Sequence, residues 1–134
     1  MLDDPRGVDM LEAVSKLMRE QMIPKLPPDA VFHARVAANA VDLVVRELRT
    51  GARLEGEAHS RLRALLGHDG SLDDLERELS SRIRERRVAL DDPALLDHLW
   101  ATTMAKMSID QPSYASYKRE LAARVPETQA KPKE

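Results

Sequence analysis

Residues 28–51 read PDAVFHARVAANAVDLVVRELRTG, and this stretch decides the fold class. Its apolar side chains recur three and four positions apart, as they do on a helix, and they cover more than one side of it. These side chains are Val31, Phe32, Val36, Ala37, Ala40, Val41, Leu43, Val44 and Leu48. Pro28-Asp29 suits a helix start, and Gly51 suits a helix stop. We therefore predict a helix from Pro28 to about Thr50 at the centre of a bundle, in contact with several neighbours.

Capping signals and apolar periodicity predict the remaining elements. The first expected helix begins at Asp4-Pro5 and ends at Pro24, and the third spans Leu54 to Leu66. The fourth starts at Leu72 behind a Ser71/Asp74 cap and stops before Val88. The fifth runs from Pro93 to about Asp110, and a short helix covers Tyr114 to Arg124. No segment alternates strictly between apolar and polar residues, which argues against a sheet. The fold class is therefore all-α: a single-domain bundle of about five helices plus a short C-terminal helix, over residues 1–124. The polar residues 125–134 are predicted to be disordered.

Composition excludes several classes of function. The formal net charge is −2, so the chain lacks the basic surface that binds nucleic-acid phosphates. Aromatic residues make up 3% of the 134 residues, too few to stack against bases. Nucleic acid is therefore not an expected partner. The absence of cysteine excludes thiolate nucleophiles and Cys-ligated zinc. No apolar run approaches the ~20 residues that span a bilayer, so no membrane association is expected. The N-terminus lacks the basic and apolar regions of a secretory signal, which predicts a cytoplasmic location.

Catalytic motifs are also missing from the sequence. The four histidines form neither a His-Glu-x-x-His nor a Glu-x-x-His pattern, so no metal site is expected. Neither a phosphate-binding G-x-x-x-x-G-K-[ST] loop nor a G-x-S-x-G nucleophile elbow occurs. We therefore predict no catalytic residue and no cofactor.

One polar row stands out on the most apolar predicted helix. Arg35 and Asn39 are four positions apart, and Asp42 and Arg46 extend the same row. A half-buried arginine needs an anionic or carbonyl partner, because an unpaired buried charge costs several kcal/mol. Arg35 could bridge to an acid on the fourth or fifth helix while Asn39 satisfies a helix end. Alternatively, the row is a contact patch for a ligand or a partner.

His68 and Asp69 lie between Gly67 and Gly70, in a predicted tight loop. Glycine-flanked turns often use an aspartate to hydrogen-bond the backbone, which favours a structural role. An exposed histidine beside an acid could also contact a partner.

Four segments together resemble a known family: residues 32–40 (FHARVAANA), 65–70 (LLGHDG), 92–96 (DPALL) and 106–112 (KMSIDQP). The chain is similar, over about residues 8–117, to a family of small bacterial helical proteins encoded beside aminoglycoside-phosphotransferase-like kinases and acyl-CoA dehydrogenase-like enzymes. One such protein supports the kinase of levulinate catabolism, which phosphorylates a 4-hydroxyacyl-CoA. The resemblance implies a non-catalytic accessory subunit of such a kinase.

The hypothesis drawn from these observations is that one helical face docks on the kinase or completes an acyl-CoA groove. The predicted partner or ligand contacts are Arg35, Asn39, Arg46, His68 and Asp69, with arginine suited to the phosphates of coenzyme A. The alternative is a stand-alone module that binds a small molecule or acyl-CoA in a pocket lined by Met18, Met22, Met104 and Met107. Homodimerisation is compatible with either function.

Overall fold

A computed structural model describes residues 6–124, and within this range the chain forms helices and no strand. The α helices are α1 (Gly7–Leu17), α2 (Pro28–Leu66), α3 (Leu72–Arg84), α4 (Pro93–Asp110) and α5 (Ala115–Ala123). The predicted all-α, single-domain fold is confirmed. The predicted opening at Asp4-Pro5 and the predicted disorder of residues 125–134 lie outside the described residues.

The second and third predicted helices are one continuous helix, so the predicted stop at Gly51 is wrong. Helix α2 has 39 residues, which corresponds to about 58 Å at the usual rise of an α-helix. A glycine inside a helix costs only about 1 kcal/mol relative to alanine, and the helix tolerates that cost when its neighbours favour helix. Just beyond Gly51, Arg53 and Glu57 form an ion pair at 2.5 Å across one turn of the helix. Over residues 6–124 the bundle therefore has one α-helix fewer than predicted.

The chain does not leave helix α1 at Pro24 as sharply as predicted. The α-helical hydrogen bonds end at Leu17, a wide π turn follows over Met18–Met22, and a 3₁₀ turn covers Ile23–Lys25. Proline has no N–H, and in a regular helix its ring would collide with the carbonyl four residues earlier, that of Glu20. The Ile23 N–H donates instead to the Met18 carbonyl, which is the π spacing. Pro24 thus distorts the last turns before the chain reverses.

Capping residues fix the starts of α3 and α4 where the sequence predicts them. The Ser71 hydroxyl accepts a hydrogen bond from the Asp74 N–H at 3.2 Å and donates to the Asp74 carboxylate at 2.6 Å. The Asp92 carboxylate accepts from the Ala94 N–H at 2.8 Å, in front of Pro93. Gly67 ends α2 with a φ of +80°, in the left-handed region that favours glycine.

The main core lies at the C-terminal end of α2. It contains Leu62 and Leu66 of α2, Leu75 and Leu79 of α3, and Leu95 of α4. Helix α4 runs antiparallel to α2, because Leu95 at its start joins this core while the carbonyl of Ile109 at its end receives a hydrogen bond from Arg46. The C-terminal half of α2 is thus packed by both α3 and α4.

The N-terminal half of α2 forms a hairpin with α1 and buries far less. The buried side chains here are Ser15, Ile23, Ala38 and Val45. The prediction that the apolar residues of this segment lie at the bundle centre is wrong for four of them: Phe32 is 68% exposed, and Val36, Val44 and Leu48 are also exposed. Helix α2 does contact α1, α3 and α4, as expected for a central helix.

Candidate functional site

Two members of the polar row on α2, Asn39 and Asp42, bind α1 and the π turn that follows it. The Ser15 hydroxyl, in a residue only 3% exposed, donates to the Asp42 carboxylate, and the Arg19 guanidinium donates to Asp42 at 2.5 Å and to the Asn39 side-chain oxygen at 2.7 Å. Burial acts to raise the pKa of Asp42, but the hydrogen bonds from Ser15 and Arg19 and the positive charge of Arg19 outweigh it, so this pKa is lowered. Asn39 therefore belongs to a structural network, although its partner is Arg19 of the π turn after α1 and not a helix end.

Arg46 holds the end of α4 against α2. Its Nε donates to the Ile109 carbonyl at 2.6 Å, which satisfies one of the carbonyls left free in the last turn of α4. The Thr50 hydroxyl donates to the Arg46 carbonyl at 2.7 Å within α2. The guanidinium of Arg46 thus has a structural partner in the chain itself.

Arg35 is the member of the row that has no polar partner within the described residues. It makes no hydrogen bond or ion pair with residues 6–124, so the predicted bridge to an acid on the fourth or fifth predicted helix does not form. Together with Arg19 it lines an open cleft of about 660 Å³ at the tip of the α1–α2 hairpin. Apolar side chains and prolines form the rest of the cleft wall: Ile23, Pro24, Leu26, Pro28 and Val31.

His68 and Asp69 are both paired locally at the turn between α2 and α3. The His68 Nδ1 donates to the Asp69 carbonyl at 2.9 Å, and the Nε2 lies 2.9 Å from the Glu78 carboxylate. The hydrogen bond to the Asp69 backbone raises the pKa of His68, and the Glu78 carboxylate raises it further. Asp69 forms an ion pair with Arg63 of α2. These contacts favour the structural alternative for both residues.

The structure does not bring the five predicted contact residues into one site. Arg35 and the turn at Gly67 lie at opposite ends of α2, about 48 Å apart along a rigid helix. A ligand of ordinary size cannot touch both. Any joint role of the two groups would need a macromolecular partner.

Sequence analysis missed a buried polar cluster between α2 and α4. His98 is 6% exposed, and its Nδ1, the Nε of Arg61 and the hydroxyl of Thr102 are buried without a hydrogen-bond partner among residues 6–124. Burial and the nearby Arg61 charge lower the pKa of His98, against a smaller opposing effect of Glu76. The four-residue spacing of His98 and Thr102 was the available signal, since it places both on one face of α4.

Large apolar side chains lie exposed on the outside of α4 and α5. We call this surface the α4–α5 face; it consists of Leu96, Leu99, Trp100, Leu121 and Arg124. Trp100 is 40% exposed, the three leucines are about half exposed, and the Arg124 guanidinium lies 5.3 Å from the Trp100 ring centre in a cation–π contact. The apolar residues of α4 are distributed around its whole circumference, a pattern typical of a helix that is covered on all sides.

The part of the chain that the structure describes contains no group of three His, Cys, Asp or Glu side chains arranged to hold a metal ion. Over the same residues, no helix combines the length and the apolar character needed to span a membrane.

The fold and these surfaces define a small all-α protein built on one long central helix. The family model described as a domain of unknown function, DUF6285, matches residues 24–114, which is more than half of the chain. The chain therefore belongs to this family. The matched residues contain α2, α3 and α4 complete. No curated protein and no solved structure matches the chain.

Proposed function

We propose that this protein is a non-catalytic accessory subunit of an aminoglycoside-phosphotransferase-like kinase that acts on a hydroxyacyl-CoA. The identity of the partner rests on the family resemblance in the sequence. The observation that supports docking is the α4–α5 face, where the chain's one tryptophan lies 40% exposed among half-exposed leucines.

Residue types on this face favour a protein as the occupant. Tryptophan and arginine are the residues most enriched where binding energy concentrates in protein interfaces, and Trp100 and Arg124 lie together here. Monomeric proteins rarely expose large contiguous apolar patches, and such patches usually mark an interaction site. Docking would stabilise the kinase because a subunit that binds only the folded state shifts the folding equilibrium toward it. The proposal places both proteins in the cytoplasm.

Co-expression with a phosphotransferase-like kinase from the same genome tests the proposal. Size-exclusion chromatography should give one peak that contains both proteins, and the kinase should phosphorylate its hydroxyacyl-CoA faster in the complex than alone. Trp100→Ala should weaken the complex by about 30-fold in Kd, the effect of losing a hot-spot residue worth about 2 kcal/mol. Leu96→Asp should have a similar effect.

Val44→Asp is the matched control, because Val44 is a similarly exposed apolar residue on a different surface. It should leave kinase binding intact. Two separate peaks, with kinase activity unaffected by the small protein, would contradict the proposal. An equal loss of binding in Val44→Asp would contradict the choice of face.

The cleft at the hairpin tip supports a second candidate, an acyl-CoA binding module. Arg35 has no partner within residues 6–124 and faces the same cleft as Arg19, so the two could bind coenzyme A phosphates. Met18, Met22, Met104 and Met107, the methionines of the predicted pocket, are not among the residues that line this cleft. A rise in Tm of the isolated protein with coenzyme A, lost in Arg35→Gln but kept in Arg84→Gln on α3, would support this function. No change in Tm would count against it.

A further inference from the structure

A second apolar surface lies on the α1–α2 hairpin, away from the α4–α5 face. We call it the hairpin face; it consists of Met10, Val14 and Leu17 of α1 and Ala37, Ala40, Val44 and Leu48 of α2. All seven residues are exposed. Spacings of three and four positions place each set on one side of its helix.

Both sets lie on the same side of the hairpin. The polar contacts between the two helices occupy the other flank, where Arg49 pairs with Asp9 and with Glu12, at 3.3 and 2.6 Å. On the helical wheel of α1, Val14 lies away from Asp9 and Glu12, and on that of α2, Val44 lies away from Arg49. The apolar sets therefore form one surface.

Polar contacts also set the register of the two rows. Arg49 pairs with Asp9 and Glu12, while Asp42 accepts from Ser15, so the helices run antiparallel. This register places Leu48 beside Met10 and Val44 beside Val14. Leu17 then lies next to Ala40, and Ala37 lies about one turn further toward the connection between the two helices.

We propose that the hairpin face binds the hairpin face of a second copy of this chain, so that two hairpins form a four-helix bundle around a two-fold axis. A two-fold interface uses the same patch on both copies, so the patch must be complementary to itself. Three larger side chains project from α1, and the two alanines of α2 leave space at the end of the face near Leu17. Packing α1 of one copy against α2 of the other inserts the large side chains into the small positions.

The size and charge of the face suit a dimer. Its seven side chains present on the order of 500 Å² of apolar surface per copy, so a dimer would bury roughly 1,000 Å², the lower size limit of a specific interface. None of the seven residues is charged, which matches the depletion of charge at the centre of interfaces.

The interior of the hairpin also needs a further layer. Within the described residues, Ser15, Ile23, Ala38 and Val45 are its buried side chains, and one of these is polar and one is an alanine. A helix pair with so little buried surface gains stability when its apolar side packs on another layer. The second copy provides that layer.

Light scattering coupled to size-exclusion chromatography of the isolated full chain tests this inference. At micromolar concentrations the protein should have twice the 15.1 kDa mass of one chain. Val44→Asp should weaken the dimer about a hundredfold, because it places an unpaired charge at the centre of an apolar interface. Leu48→Asp, at a more exposed position, should also give the monomer.

The control is Leu99→Asp, which adds the same charge at an equally exposed residue of the α4–α5 face and should leave the dimer unchanged. Circular dichroism should show helical content like that of the wild type in all three variants. A monomeric wild-type protein would overturn the inference, and so would a dimer that survives both Val44→Asp and Leu48→Asp. A monomer whose kinase binding is lost in Val44→Asp would assign the hairpin face to the kinase instead. Because kinase binding is tested on the α4–α5 face, the two proposals can fail independently.

Discussion

Replacing Gly51 by alanine should stabilise the protein, because Gly51 lies inside the continuous helix α2. A Cβ atom built at this position would meet Glu47 Cγ at 3.7 Å, an ordinary van der Waals contact, so no clash opposes the substitution. Alanine in a helix interior is favoured over glycine by about 1 kcal/mol, since glycine loses more backbone entropy on folding. The free energy of unfolding should therefore rise by about 1 kcal/mol, which corresponds to roughly 4 °C in Tm for a domain of this size.

Urea unfolding followed by circular dichroism measures this change, and two other glycines serve as controls. Gly56→Ala adds a Cβ with nothing within 4 Å in the same helix, and it should give a similar gain. Gly67→Ala should lower the free energy of unfolding by about 1–2 kcal/mol, because its φ of +80° is strained for any residue with a Cβ.

The result that would refute the continuous helix is a Gly51→Ala variant that loses stability as Gly67→Ala does. Such a loss would mean that Gly51 adopts a left-handed conformation and ends a helix. The chain would then have the two separate helices that the sequence predicts.

Two further substitutions test the buried His98 and the half-buried Asp42. His98→Leu removes a buried nitrogen without a partner and should raise the free energy of unfolding by about 1 kcal/mol at pH 7. Burial and Arg61 lower the folded-state pKa of His98, so as pH falls below about 6.5 the unfolded chain takes up the proton first and wild-type stability falls. The Tm gap between variant and wild type should therefore widen from pH 7 to pH 5, and a constant gap would contradict this. Asp42→Asn weakens the hydrogen bonds from Ser15 and Arg19 and should lower the free energy of unfolding by about 1 kcal/mol at pH 7. Because the folded-state pKa of Asp42 is lowered, the ionised carboxylate stabilises the folded protein above about pH 4, and this stabilisation is lost as pH falls through the folded-state pKa. The free energies of unfolding of the variant and the wild type should therefore converge in acid.

Local chemistry predicted the parts of the fold that depend on neighbours in sequence. The Ser71 and Asp92 caps act within three residues of themselves, and the helices they start begin where predicted. Gly51 misled the prediction because glycine is frequent just after a helix and also tolerated inside one. Only packing along the whole of α2 decides between these two outcomes.

Contacts in the candidate site depended on long-range geometry that the sequence does not contain. Arg46 was predicted as a ligand or partner contact, yet its guanidinium binds the carbonyl of Ile109, 63 positions away. Arg19 was not singled out, because its role arises only when α1 folds onto α2. The apolar residues of α2 were expected inside because periodicity shows which side is apolar, but not whether the same chain or another molecule covers it.

Buried leucines concentrate at one end of the long helix, so local stability is unevenly divided along it. Free energies of local opening range from near zero up to that of global unfolding, and segments with few buried contacts open first. The end that carries α1 should therefore exchange its amide hydrogens faster than the end held by Leu62 and Leu75. Separation of α1 would expose backbone to proteolysis while the rest of the domain stayed folded. A molecule that covers this end would lengthen the lifetime of the protein in the cell.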